Sequence, residues 1–171
     1  MMQLIRFFLF VISFVSLSFG LYAIEIERSG WWKFDDPENP EKAESGFGSD
    51  LVLMGTQTPS IGPEEGNGAV VIGPGSYYIM KHHISPKEGE KFVNEYSIQY
   101  DFKVSSTEIW HSFFQVTEKN NNDADFFINT GGNIGVGAVG YSSFTISKNE
   151  WYRLIVSVNN GSSFVCYLDG N

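Results

Sequence analysis

The sequence predicts an all-β fold, an antiparallel two-sheet sandwich of the jelly-roll type. Three observations point there. In the clearest segments apolar and polar residues alternate with period two, as the two faces of a strand require. The apolar runs are short, and Gly, Pro, Asn and Asp separate them at near-regular spacing. Behind the first two dozen residues there is almost no helical periodicity, and no internal repeat suggests a propeller or a solenoid.

The elements follow in order. Residues 31–34 form the first expected strand of the body. Trp31 and Trp32 face opposite ways in a strand, so at most one of them enters the core. Strands are expected at 51–54, 69–72 and 77–82. Residues 35–50 and 56–68 carry Pro, Gly and Glu and read as surface loops, as do residues 81–91 with His82, His83 and Pro86. Segment 95–104 is the cleanest strand. Tyr96, Ile98, Tyr100, Phe102 and Val104 share one face, and Ser97, Gln99, Asp101 and Lys103 share the other. The expectation is a strand between a packed core and water. Burial of those five side chains contributes on the order of 10 kcal/mol before entropy is subtracted.

Segment 109–116 is apolar on both faces. Trp110, Phe114 and Val116 lie on one, and Ile109 and Phe113 on the other with His111 and Gln115. Such a strand is covered on both sides, or its outer face meets a ligand. Residues 119–125 form a fourth loop around Asn120-Asn121-Asn122-Asp123, and short strands are expected at 125–129, 133–136 and 141–146. Residues 151–170 then read as a hairpin. Tyr152, Leu154, Val156 and Val158 alternate, Asn160-Gly161 suits a two-residue turn, and Phe164, Cys166 and Leu168 share a face on the return strand. Asn160-Gly161-Ser162 also fits a glycosylation acceptor, but the turn explains it fully. Asp169-Gly170 is a second turn signal just before Asn171, so the sandwich is expected to be incomplete at its C-terminal side.

Residues 1–23 read as a secretory leader in front of one domain spanning 24–171. Arg6 is the only charged side chain before Glu25, residues 7–19 form an apolar run, and small residues follow. Cleavage is expected near Ala23, with Ser18-Phe19-Gly20 as the other candidate cut. The rival reading is an uncleaved anchor: residues 7–24 are uncharged over 18 positions, the lower limit for a span. Three serines and Gly20 weigh against it. No cysteine lies near residues 18–24 to carry a lipid. The expected location is therefore secreted or at the cell surface.

Acidic residues number 20 against 11 basic ones, for a net charge of −9 that becomes −10 when Arg6 leaves with the leader. That surface repels phosphates, so neither nucleic acid nor an anionic membrane beyond the leader is an expected partner. A single cysteine, Cys166, excludes an internal disulfide and a cysteine-rich zinc site. It shares its face with Phe164 and Leu168 and is expected to be buried and inert.

A set of motifs now acquires a common frame. Trp31-Trp32-Lys33-Phe34-Asp35-Asp36 comes first, then Gly66-Asn67-Gly68-Ala69, then Gly75-Ser76-Tyr77-Tyr78. The strand at 95–104 follows, then Trp151-Tyr152 and Tyr167-Leu168-Asp169-Gly170. Together they resemble the laminin-G-like branch of the concanavalin A-like lectin/glucanase superfamily. The resemblance runs over roughly residues 31–170 and rests on the order of the motifs. It implies a curved two-sheet jelly roll that binds glycans or proteins outside cells, with calcium in some members and glycoside hydrolysis in others. It also implies further strands after the last hairpin.

Glycoside hydrolysis needs two carboxyl groups flanking the scissile bond. The hydrolases of that superfamily carry them as Glu-x-Asp-x-(x)-Glu on one strand. Glu25-Ile26-Glu27 abuts the leader and lacks the third acid, and the acids of Asp123-x-Asp125 sit in a loop. The reading is therefore non-catalytic. His82, His83 and His111 are the only histidines, and they form no nucleophile triad or transition-metal set. Asn122, Asp123 and Asp125 offer oxygen ligands in one loop, the donor type calcium takes, and Asp35 and Asp36 offer them in another. Sugar recognition uses aromatic faces with planar amides and acids. Tyr78, Trp110 and His111 with Gln99, Asp101 and Asn129 are the candidate set. The expected function is a secreted carbohydrate-binding or adhesive module whose partner is a glycan or a cell-surface or extracellular protein. The alternatives are a glucanase-like relative with its acids outside this sequence, and a purely structural interaction domain of a larger surface protein.

Overall fold

The computed structural model describes residues 3–11, 27–44, 48–116 and 126–171, with side chains from residue 30 onward. The described residues hold thirteen strands and no helix. In chain order these are β1 (Gln3–Val11), β2 (Glu27–Trp32), β3 (Val52–Met54), β4 (Gln57–Ile61), β5 (Gly68–Ile72), β6 (Tyr77–Ile79) and β7 (Glu95–Val104). Then come β8 (His111–Phe114), β9 (Phe126–Ile128), β10 (Ile134–Val136), β11 (Gly140–Tyr141), β12 (Tyr152–Asn159) and β13 (Ser163–Leu168). All pairings are antiparallel.

Seven strands make one sheet, ordered β13-β12-β7-β1-β5-β4, with β2 also on β1. Four make a second, ordered β11-β10-β9-β8, and β3 and β6 pair by themselves. The apolar face of β7 meets the four-stranded sheet. Phe113 lies 5.0 Å from Tyr100 and 4.9 Å from Phe102, centroid to centroid. Phe126 of β9 lies 5.3 Å from Phe164 of β13. Trp32, Tyr100, Phe102, Phe126 and Leu154 are fully buried in this layer. All-β architecture with antiparallel sheets packed face to face is what the alternation demanded.

Trp32 is the core member of its pair, while Trp31 is half-buried with the Lys33 ammonium 4.5 Å over its ring. Gly68 has no room for a side chain: a Cβ there would sit 1.9 Å from the Phe34 carbonyl oxygen. Its N–H donates to Asp35 Oδ1 at 2.7 Å, tying the Gly-rich segment to the opening strand. Cys166 packs against the core beside Phe164 and Leu168, and burial pushes its thiol up to about 11.

Several expectations need correction. The loop expected at 56–68 contains β4, which pairs with β5 along its whole length. β4 is the edge strand, and Pro59 is tolerated there because an edge leaves one row of backbone groups unpaired. The hairpin after β12 has a three-residue loop, since Asn159 pairs with Ser163. Within it only Gly161 takes a left-handed φ, of 86°. Asp169-Gly170, by contrast, does make a two-residue turn, with φ of 51° and 87° and reciprocal Leu168–Asn171 backbone bonds. The strand expected at 141–146 shrinks to Gly140–Tyr141. Asn133 Nδ2 donates to the Ser142 and Phe144 carbonyls, and the Ile134 N–H donates to Ser142 Oγ, so side chains replace a ladder.

The polar face of β7 is not simply open to water: Asp101 and Ser97 are buried there. The Arg153 guanidinium reaches across from β12 and donates to both Asp101 oxygens, at 2.7 and 2.8 Å. The expected leader overlaps β1, so residues 3–11 belong both to that leader and to the central ladder of the large sheet. Residues 12–26, with the expected cut near Ala23, lie outside the described residues.

Candidate functional site

The outer face of the four-stranded sheet carries the feature that invites a ligand. Strand pleating sends Phe126 and Ile128 inward and Phe127 outward. Across the sheet, Phe127 is in register with Ser112 on β8 and Gly135 on β10, and Gly135 is in register with Tyr141 on β11. Gly135 is obligatory here, because a Cβ would meet the Gly140 carbonyl oxygen at 2.2 Å. The row therefore sets Phe127 and Tyr141 on either side of a buried residue that has no side chain. Trp110, just before β8, touches both rings edge-to-face, at 6.1 Å from Phe127 and 6.1 Å from Tyr141. Trp110 is nevertheless 55% exposed.

Trp110 owes its direction to strand parity. It precedes His111 and Phe113, which both turn inward and are buried. A bulge follows: Ser112 pairs with Phe127 and Phe114 with Phe126, leaving Phe113 as the extra residue. Both Phe113 and Phe114 thereby reach Phe126, at 5.5 and 6.1 Å. The core is packed from β8 without using Trp110.

The other expected site residues are dispersed. His111 is inside, with Nε2 at 2.6 Å from the Ser106 carbonyl oxygen, to which it donates. Burial lowers its affinity for a proton, and the Ser106 bond opposes that. Asn129 spends its Oδ1 on the N–H groups of Gly131 and Asn133, at 2.8 and 3.0 Å, and so shapes the β9–β10 turn. Tyr78 lies on β6, where its hydroxyl donates to Gln57 and its ring stacks on Phe34 at 5.8 Å. Burial raises that phenol further above its usual range. Gln99 and Asp101 are on the outer face of β7, away from Trp110, and Asp101 is held by Arg153. Of the six, only Trp110 is on the aromatic surface. Phe127 and Tyr141 are the members that sequence reasoning missed. The signal available was the out-facing phenylalanine in Phe126-Phe127.

The expected calcium ligands Asn122, Asp123 and Asp125 lie outside the described residues. Asp35 and Asp36 have structural duties. Asp36 accepts from the Glu38 N–H and Asn39 Nδ2, both at 3.0 Å, and these bonds lower its pKa. No cluster of three His, Cys, Asp or Glu able to hold a metal is found among the described residues. A depression of about 490 Å³ is lined by Asn39, Glu41, Lys42 and Asp50 with Leu51, Val52 and Leu53. Its acids are engaged as well: Asp50 accepts from the Ala43 N–H and Glu41 from Gln57 Nε2. Among the described residues no helix is long and apolar enough to cross a membrane.

Comparison of the chain with family models, curated proteins and solved structures finds no match in any of the three.

Proposed function

We propose that this chain is a non-catalytic binding module of the extracellular space or cell surface, with a jelly-roll body and a carbohydrate ligand on the Trp110–Phe127–Tyr141 surface. One observation carries the reading: a tryptophan more than half exposed, braced by two aromatic rings on the outside of a sheet whose inside is already packed. An indole left in water forgoes favourable burial, and contiguous apolar surface of this kind marks a binding site. The exposed part of the Trp110 indole gives a flat ring a surface to lie against. A pyranose presents such a shape, with C–H groups on its face and hydroxyls at its rim. The indole N–H is a polar group suited to that rim.

The test is a glycan array followed by titration calorimetry of the best ligand against the wild-type chain and Trp110→Ala. Loss of at least tenfold in affinity is expected, equivalent to about 1.4 kcal/mol. Absence of any glycan binding by the wild-type chain, or equal binding by the variant, would remove the proposal.

A further inference from the structure

A second site is independent of the aromatic surface and concerns the centre of the seven-stranded sheet. β1 uses both of its edges. It pairs with β7 over eight successive positions, from Gln3↔Val104 to Phe10↔Ser97. Its other edge pairs with β5 at Gln3, Leu4 and Ile5 and with β2 from Phe7 to Val11. Without β1 there is a gap one strand wide, edged on one side by β7 and on the other by β2 and β5. β12 already occupies the far edge of β7.

The register is chemically selective. Positions 5, 7 and 9 lie across from Phe102, Tyr100 and Ile98, which are buried, and they hold Ile, Phe and Leu. The only charged residue of the strand, Arg6, lies across from Asp101, the buried acid of β7. Arg153 serves Asp101 from β12, and a carboxylate has acceptor sites for more than one cation. Directly opposed residues on antiparallel strands are near enough to interact. A slip of one residue would set Arg6 against Tyr100 or Phe102 in the core.

All nine residues fall within the segment that reads as a leader, and the last five of them open its apolar run. We propose that the gap between β7 and the β2/β5 pair is a strand-acceptor site, that residues 3–11 of this chain are its ligand, and that they stay bound after the chain is cut between residues 12 and 26. Main-chain bonds on two edges supply affinity, and the alternate side-chain positions with Arg6 opposite Asp101 supply selectivity.

The experiment places a sequence-specific protease site within residues 12–26 of the full chain, cuts the folded protein, and runs it on a sizing column at neutral pH. Mass spectrometry of the main peak is expected to find the fragment bearing residues 3–11 in one-to-one ratio with the body. A fragment that elutes apart overturns the proposal, whether the body keeps its β circular dichroism or aggregates. In a second arm the cut protein meets a fluorescent peptide of residues 3–11 with a lysine tail. Exchange is expected, with the Arg6→Glu peptide at least tenfold weaker. Equal binding of the Arg6→Glu or a scrambled peptide shows a generic apolar contact and overturns it equally.

Discussion

The outward rows of the two sheets are built from opposite materials. On β7 of the seven-stranded sheet the outward residues are Ser97, Gln99, Asp101 and Lys103, and two of them are buried. On the four-stranded sheet the outward row is Ser112, Phe127, Gly135 and Tyr141 with Trp110 against it, and Trp110 is exposed. A buried acid on one outer face stands against an exposed indole on the other, the reverse of what polarity alone dictates. An acid on a strand is structural once its ladder neighbours complete its hydrogen bonds. On the proposed function, an exposed aromatic group is where another molecule completes the surface.

Five substitutions sharpen that contrast. The largest effect belongs to the layer between the sheets: Phe126→Ala removes a fully buried ring in contact with Phe113, Phe114 and Phe164. A loss of about 4 kcal/mol is expected in urea unfolding. Next comes Arg153→Met, which strips the guanidinium from buried Asp101 and is expected to cost about 3 kcal/mol. Adding Asp101→Asn should restore part of that loss, and no recovery would show that the carboxylate charge is not the cause. Trp110→Ala is expected to change stability by less than about 1 kcal/mol, because more than half of the residue is already in water. A larger loss would make Trp110 a packing residue and close the contrast between the faces.

The smallest effect is on pH dependence. Burial lowers the His111 pKa, so the folded chain binds that proton less readily than the unfolded chain. The stabilising neutral form is fully present above the unfolded value of about 6.5, and its contribution is lost as pH falls from there through the folded value. His111→Gln should flatten the acid-side slope of stability below pH about 6.5. A slope that survives the substitution would place the titrating group elsewhere.

Legibility followed the uniqueness of each local signal. β7 was readable to its ends because strict alternation over ten residues has no helical counterpart. Asp169-Gly170 was readable because both residues tolerate the left-handed region. β4 was not, since an edge strand needs neither apolar residues nor a full set of N–H donors. β1 was not legible as a strand for a different reason: a leader and a central strand both carry an apolar run, and residues 1–23 read as the leader. Trp110 could be picked out from a strand apolar on both faces, but His111 beside it had to face inward by the same pleat. Phe127 and Tyr141 join Trp110 only through the register across Gly135, which no local pattern encodes.

By itself the amino-acid order determined the all-β class of the described residues, its main alternating strand, and which face of the last strand Cys166 shares, because these depend on near neighbours along the chain. Tertiary structure alone decided which outward polar groups are buried, which strand sits at the centre, and which three rings meet. Those outcomes depend on pairing between distant segments, and side-chain parity on each strand becomes a surface only when the strands are laid side by side.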